Sequence, residues 1–194
     1  MTDRRNDRAR WAARYAAEPG DERAPSAWVM AACARLPVEN AIVEVAAGNG
    51  RHAAALARAG RHVVAVDFVE GAIRQAAGCG ALVHGVVADV SWMPLRPGSV
   101  ESLLCTNFLE RSLFGDFKAL IRAGGFLIYE TYTVKHLALV EAGRARAPRS
   151  AAYLLEPGEL ARLVAPFAIV DAREGYVRDD AGERYCASAL AQKG

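Results

Sequence analysis

Apolar residues along this 194-residue chain gather in short unbroken runs, and the segments between those runs carry helical periodicity. That is the pattern of buried strands joined by crossover helices. The first run, residues 41–46 (Ala-Ile-Val-Glu-Val-Ala), reads as a strand buried on both faces. Ala47-Gly48-Asn49-Gly50 predicts a tight turn, and Arg51 to Ala59 a strong helix that Gly60 closes where a left-handed residue is wanted. A second strand, His62 to Val66, ends on Asp67; a helix from Glu70 to Ala77 is broken by Gly78 and Gly80; a third strand, Ala81 to Ala88, ends on Asp89. Pro94 and Pro97 keep the crossover from Trp92 to Ser99 from forming a long helix. The fourth strand is Val100 to Thr106, followed by a helix from Leu113 to Arg122, a turn at Ala123-Gly124-Gly125 and a fifth strand from Phe126 to Tyr129. Thr133 to Ser150 is irregular or weakly helical, and a helix opening within Leu155 to Leu160 is ended by Pro166. Phe167 to Glu174 and Arg184 to Gln192 alternate as strands, with Asp179-Asp180-Ala181-Gly182 as the turn between them. Upstream, Trp11 and Tyr15 share one face of a charged helical segment, Gly20 to Pro25 is a turn, and a helix from Pro25-Ser26 to Arg35 is stopped by Pro37.

This order predicts an α/β protein. Its expected core is a Rossmann-like, doubly wound, seven-stranded mixed sheet, five parallel strands plus a C-terminal antiparallel hairpin, with helices on both faces. Residues 1–36 read as an N-terminal helical cap or lid and residues 37–194 as the main domain, within one compact unit.

Strand, glycine turn, helix, strand, acid is a βαβ unit suited to an adenosine-containing cofactor. Glycines let the backbone turn sharply and let a ligand approach closely. Asp67 lies nineteen residues beyond Gly48, near the roughly 20 expected for a carboxylate that takes ribose hydroxyls. It would repel a 2′-phosphate. Gly48-x-Gly50-x-x-Ala53 also satisfies the dinucleotide pattern, so NAD stands as one reading. Glu44, an acid on an apolar strand, tips the balance: a pyrophosphate gains nothing beside it, whereas a sulfonium or ammonium does. A buried Glu44 also demands a cationic or hydrogen-bonding partner.

Glu44-x-Ala46-x-Gly48-x-Gly50 resembles the E/D-x-G-x-G-x-G signature of class I S-adenosylmethionine-dependent methyltransferases, with Ala46 in place of the first glycine. The run from Val45 to Asp67 is similar to the small methyltransferases grouped around the tellurite-resistance enzyme. The resemblance implies a seven-stranded sheet and S-adenosylmethionine as cofactor. It implies further that Arg14 meets the methionine carboxylate, Tyr15 packs the sulfonium side, Asp89 accepts the adenine amine and the Val90 backbone reads the ring. Each has a plainer alternative: a surface helix clamped by its aromatics for Trp11 and Tyr15, helix capping for Asp89. Phe68 is either an adenine platform or a core phenylalanine. Asn107, Phe108 and Arg111 are placed at the carboxyl end of the fourth strand, where open α/β sheets bind ligands; Asn107-Phe108-Leu109-x-Arg111 resembles a signature of a subgroup of these enzymes.

Composition narrows the partners. A net charge of +2 with no long single-sign run argues against nucleic acid, and the apolar runs are far too short to span a membrane. The N-terminus lacks the apolar core of a signal peptide. Cys33, Cys79, Cys105 and Cys186 show no C-x-x-C spacing and are expected to be free buried thiols in a reducing cytoplasm. His52, His62, His84 and His136 are too dispersed for a metal cluster, so no metal is expected. The expected acceptor is a small molecule. A soft anionic nucleophile needs no strong base; an amine or hydroxyl does, and the candidates are Glu130, Tyr132 and, as a lone surface histidine the weakest, His136. Arg111 is grouped with Glu130 and Tyr132 as catalytic. The basic stretch 143–149 is either a solvated loop or a gate for an acidic acceptor. An NAD-linked oxidoreductase and a cofactor-binding module without turnover remain the alternatives.

Overall fold

The computed structural model describes residues 4–17, 24–145, 148 and 150–194. The expected turn at 20–25 and the basic stretch 143–149 therefore lie partly outside the described residues. In chain order the elements are α1 (Arg4–Ala17), α2 (Ala27–Ala34), β1 (Ile42–Val45), α3 (Arg51–Arg58), β2 (Val63–Asp67), α4 (Glu70–Ala77), β3 (Val83–Val87) and β4 (Val100–Thr106). They continue with α5 (Phe114–Leu120), β5 (Ile121–Tyr132), α6 (Leu137–Glu141), α7 (Glu159–Val164), β6 (Ala168–Asp179) and β7 (Gly182–Gln192).

The strands form one seven-stranded sheet in the order β3-β2-β1-β4-β5-β7-β6. β1 to β5 run parallel, and β7 lies antiparallel to both β5 and β6. Strand order reverses between β1 and β4, the crevice where sheets of this type bind ligands. Alternation on β1 divides the core. Val43 and Val45 pack with Leu103, Cys105, Leu127, Tyr129 and the buried faces of α5 and α7. Ile42 faces the other way, with Ala65, Leu104, Ile128 and the apolar sides of α2, α3 and α4. Helices thus cover both faces, as the continuous apolar runs require.

Local chemistry sets the element ends. Ser26 caps α2, its Oγ accepting the Val29 N–H. At the other end of α2, the buried Arg61 guanidinium donates to the carbonyls of Cys33 at 3.0 Å, Leu36 at 2.8 Å and Pro37. A cation there satisfies orphan carbonyls and matches the helix dipole. Gly60, at φ +80°, closes α3.

Two elements depart from expectation. The fifth strand begins at Ile121, five residues before the expected Phe126, because Ile121 pairs with Val100 and the register then shifts between Val100 and Ser102. Gly125 permits that irregular entry: a Cβ there would lie 2.8 Å from the Glu101 carbonyl. β6 and β7 stay paired to Asp179↔Gly182, far past the expected end at Glu174. β5 pairs β7 only from Cys186 onward, so the hairpin's distal part is an arm beyond the sheet. Arg144 braces it, pairing with Glu183 and donating to the Tyr176 hydroxyl at 3.4 Å. The four cysteines are free, but Cys79 is exposed, at variance with the expectation that all are buried. No helix among the described residues is long and apolar enough to cross a membrane.

Candidate functional site

The carboxyl ends of β1, β2 and β3 lie side by side and deliver Glu44, Asp67 and Asp89. Past β1 the chain turns through Ala46, Gly48 and Gly50, all with positive φ (52°, 56° and 80°). Left-handed backbone suits glycine and strains alanine, which explains why the resembled signature has glycine at the position of Ala46. The two glycines are required for different reasons. A Cβ on Gly48 would lie 3.0 Å from the Tyr15 hydroxyl and 3.2 Å from its ring. A Cβ on Gly50 would lie 2.6 Å from the Ala76 Cβ, so Gly50 admits α4 to the turn. Burial inside the α3–α4 packing, not an open approach for a ligand, is the constraint at Gly50.

Asp67 is tied to the turn. Its Oδ2 accepts the Gly48 N–H at 2.9 Å and its Oδ1 the Val69 N–H at 3.0 Å. Burial raises its pKa above the ordinary value, the Val69, Gly48 and Phe68 N–H groups work against that, and Glu44 adds to it. Asp89 caps the short 3-10 turn Val90–Trp92, its Oδ1 accepting the Ser91 N–H at 2.9 Å. Phe68 and Val90 are half-buried beside these two acids.

Glu44 is buried, 1% exposed, and its expected partner is His52, whose Nδ1 lies 3.4 Å from Oε1. Its Oε2 has no hydrogen-bond partner among the described residues. A bare carboxylate oxygen in the interior is costly unless a donor or cation meets it.

α1 lies against α4 and carries the Tyr15 ring onto Gly48. Tyr15 stacks with Trp11 at 5.7 Å, and the Arg14 guanidinium lies 5.0 Å over the Trp11 ring. Asn107, after β4, is exposed at φ +55°, a conformation asparagine tolerates better than most residues, and its N–H donates to the Glu130 carbonyl at 2.9 Å. Phe108 is half-buried and its carbonyl accepts the Tyr129 hydroxyl at 2.6 Å.

Of the three residues expected to be catalytic, Arg111 and Glu130 are engaged in ion pairs. Arg111 forms a two-pronged pair with Glu159 at 2.6 and 2.9 Å and donates to the carbonyls of Ala152 and Leu154, anchoring α7's start; its donors are spent on structure. Glu130 is buried and accepts from Ser188 at 2.7 Å, Arg173 at 3.0 Å and Arg184 at 3.4 Å. Burial pushes its pKa up, but Arg184, Ser188, Ser26 and Arg173 outweigh it, so the carboxyl lies below its ordinary value. A carboxylate so stabilised is a poor proton acceptor. Tyr132 is half-buried, its ring 4.4 Å from that of His136. His136 is itself buried, against the surface position expected, and its Nδ1 accepts the Tyr185 N–H at 3.3 Å.

Sequence reasoning singled out Glu130 but missed the connected layer around it on the α2 face of the sheet: Ser26, His52, Thr106, Arg184 and Ser188, all buried. One signal was available. His52 precedes Leu56 by one helical turn, which puts it on the buried face of α3.

A seven-stranded sheet of this order, with a glycine turn after its first strand and an acid ending its second, is the Rossmann-like mixed sheet expected from the sequence. Residues 43–128 match the family model described as a methyltransferase domain. The match runs from β1 through most of β5, the part of the chain that holds the glycine turn and the acids Glu44, Asp67 and Asp89. No curated protein matches the chain. Among solved structures it is similar to a SAM-dependent methyltransferase from Methanosarcina mazei, with 18% identity, 88% of this chain and 98% of that one covered, and a TM-score of 0.70. It is similar also to the geranyl diphosphate C-methyltransferase of Streptomyces coelicolor in complex with Mg2+, geranyl diphosphate and S-adenosyl-L-homocysteine (12%, 86% and 77%, TM-score 0.62). A third likeness is to a chain of the complex between the Haloferax volcanii Trm112 methyltransferase activator and its partner (15%, 97% and 96%, TM-score 0.69). At these identities the likeness is one of fold.

The site fits S-adenosylmethionine, the cofactor that the sequence resemblance implies, on two observations of its own. A glycine cradle at Gly48 is closed by an aromatic ring, and a buried carboxylate oxygen at Glu44 awaits a positive partner. The dinucleotide reading loses ground because the chain turns antiparallel after β5.

Proposed function

We propose that the protein transfers a methyl group from S-adenosylmethionine to a small-molecule acceptor. The observation that carries this reading is the bare, buried Oε2 of Glu44 at the start of the glycine turn: it suits a cationic ligand and gives nothing to an anionic one. When bound, the cofactor supplies a methyl carbon already activated by a sulfonium, which takes the acceptor's lone pair as the carbon–sulfur bond breaks and leaves a neutral thioether. The chain's own work is positioning and exclusion of water. In this reading Asp67 takes the ribose hydroxyls with the lone pairs left over from Gly48 and Val69. Asp89 and Val90 address adenine, with Phe68 against the ring. Gly48, Gly50 and Ala46 shape the cradle, and Asn107 borders the methyl end. Of the residues read as a cap, α1 forms the lid, with Tyr15 over the turn and Arg14 on its rim; α2 packs on the sheet as part of the domain beneath.

Among the described residues Glu130 is held ionised by two arginines and offers no strong base to this arrangement. The acceptor that suits it is a soft nucleophile that arrives already ionised, such as a thiolate, selenolate or reduced tellurium species. The last of these would agree with the tellurite-resistance resemblance. Tyr132, near the end of β5, then contributes shape more than proton transfer.

Calorimetry with S-adenosylhomocysteine tests the cofactor, and absence of heat at saturating concentration overturns the reading. A panel of thiols and selenols, followed by the pH dependence of turnover, tests the acceptor. The expected profile tracks the ionisation of each acceptor; one profile common to all of them points to a base on the protein.

A further inference from the structure

His52 is the second residue of α3, directly after the glycine turn. Its Nε2 accepts the Ser26 N–H at 3.1 Å. A ring nitrogen that accepts carries no hydrogen, so the neutral imidazole holds its proton on Nδ1. That nitrogen lies 3.4 Å from Glu44 Oε1 on β1 and 3.4 Å from Thr106 Oγ1 on β4. Ser26 caps α2, and its Oγ also accepts from Arg184 Nη2 at 3.1 Å. One buried ring therefore links the carboxylate beside the glycine turn to the first turn of α2.

We propose that His52 is a positioning residue that couples filling of the cleft to the seating of α2. Its Nδ1 edge sets the Glu44 carboxylate so that Oε2 faces an incoming cation, and its Nε2 edge holds the start of α2. A ligand that orders Glu44 orders the ring, and the ordered ring holds the Ser26 N–H. This rests on the reading of the cleft as the S-adenosylmethionine site.

The two edges can be separated chemically. An asparagine amide branches at Cγ, where Nδ1 is attached, and can serve Glu44 and Thr106 but not Ser26. A glutamine amide branches one carbon further out, at the reach of Nε2, and can serve Ser26 but not Glu44. The experiment compares wild type, His52→Asn and His52→Gln. It measures S-adenosylhomocysteine affinity by calorimetry and amide hydrogen exchange of the peptide spanning Ser26 to Met30, with and without that ligand.

In wild type the ligand is expected to slow exchange in this peptide. His52→Asn should keep the wild-type affinity while the ligand no longer slows exchange there. His52→Gln should keep the wild-type exchange of the free protein while affinity falls about tenfold, the effect of one lost hydrogen bond to a charged group. A ring that only packs would move both readouts together in both variants, and that result overturns the proposal. So does ligand-slowed exchange in His52→Asn equal to wild type. If wild type takes up no S-adenosylhomocysteine, the reading of the cleft fails first; if it binds and the variants do not divide the two readouts, only the coupling fails.

Discussion

Single residues at the turn carry more than one duty. Ala46 holds left-handed backbone at φ +52°, which costs an alanine roughly 1–2 kcal/mol. Ala46→Gly removes that strain but adds unfolded-state entropy of about 0.5–1 kcal/mol. The expected outcome is a gain of up to about 1 kcal/mol, read as a higher urea midpoint at unchanged slope; a lower midpoint would mean the alanine methyl packs usefully. Asp67 braces the turn through Gly48 and Val69 as well as standing where ribose is proposed to bind. Asp67→Ala should therefore do two things: weaken S-adenosylhomocysteine by about tenfold or more and lower stability by about 1–3 kcal/mol. Calorimetry and chemical unfolding on one sample separate the two. Unchanged affinity with lowered stability would leave Asp67 a brace alone.

Elements are held by contacts from far along the chain. α2 ends on three carbonyls, those of Cys33, Leu36 and Pro37, gathered by Arg61 from the loop before β2. Arg61→Met keeps the stem's bulk and removes the fork, so it should cost about 1–3 kcal/mol, seen as a lower melting temperature with the far-ultraviolet spectrum of the folded state retained. Much of this level was legible in advance. α4 and β4 span the residues their periodicity predicts, because glycine and proline mark their ends. The glycine turn and the acids at three strand ends were legible because each belongs to a local pattern. The length of β6 was not: beyond Glu174 the strand pairs only with β7, and its Gly-Tyr-Val-Arg run shows no buried face. Nor was the fate of Glu130, whose neutralising arginines lie 43 and 54 residues downstream. Local spacing reveals a turn; it does not reveal which cation a distant hairpin will bring.

At the scale of the whole molecule, Arg184 ties together the hairpin arm, β5 and the start of α2. It donates to Asp179 at 2.6 and 2.9 Å, to Glu130 at 3.4 Å and to Ser26 at 3.1 Å, from a buried position. Arg184→Met leaves Asp179 without its cation and Glu130 with Arg173 alone, and should cost about 3–5 kcal/mol. Both carboxyls have lowered pKa values: Asp179 chiefly through its hydrogen bond from Arg184, and Glu130 because Arg184 and its other partners outweigh burial. Acids lowered by folding contribute stability above the ordinary carboxylate range, and that contribution is lost as pH falls through their lowered native values. Wild type should thus lose stability steeply on acidification below about pH 4.5, and Arg184→Met should show a flatter acid limb. Urea titrations across that range check it; parallel curves would place the acid sensitivity elsewhere.

The order of β7 and β6 in the sheet has a consequence for how the molecule is made. β7 is later in the chain than β6 yet lies between it and β5. Until Gly182–Gln192 has been synthesised, β5 presents an open edge and β6 has no neighbour to dock on. A nascent chain halted before that point would be a template for unwanted pairing, and its rescue depends on the next dozen or so residues emerging.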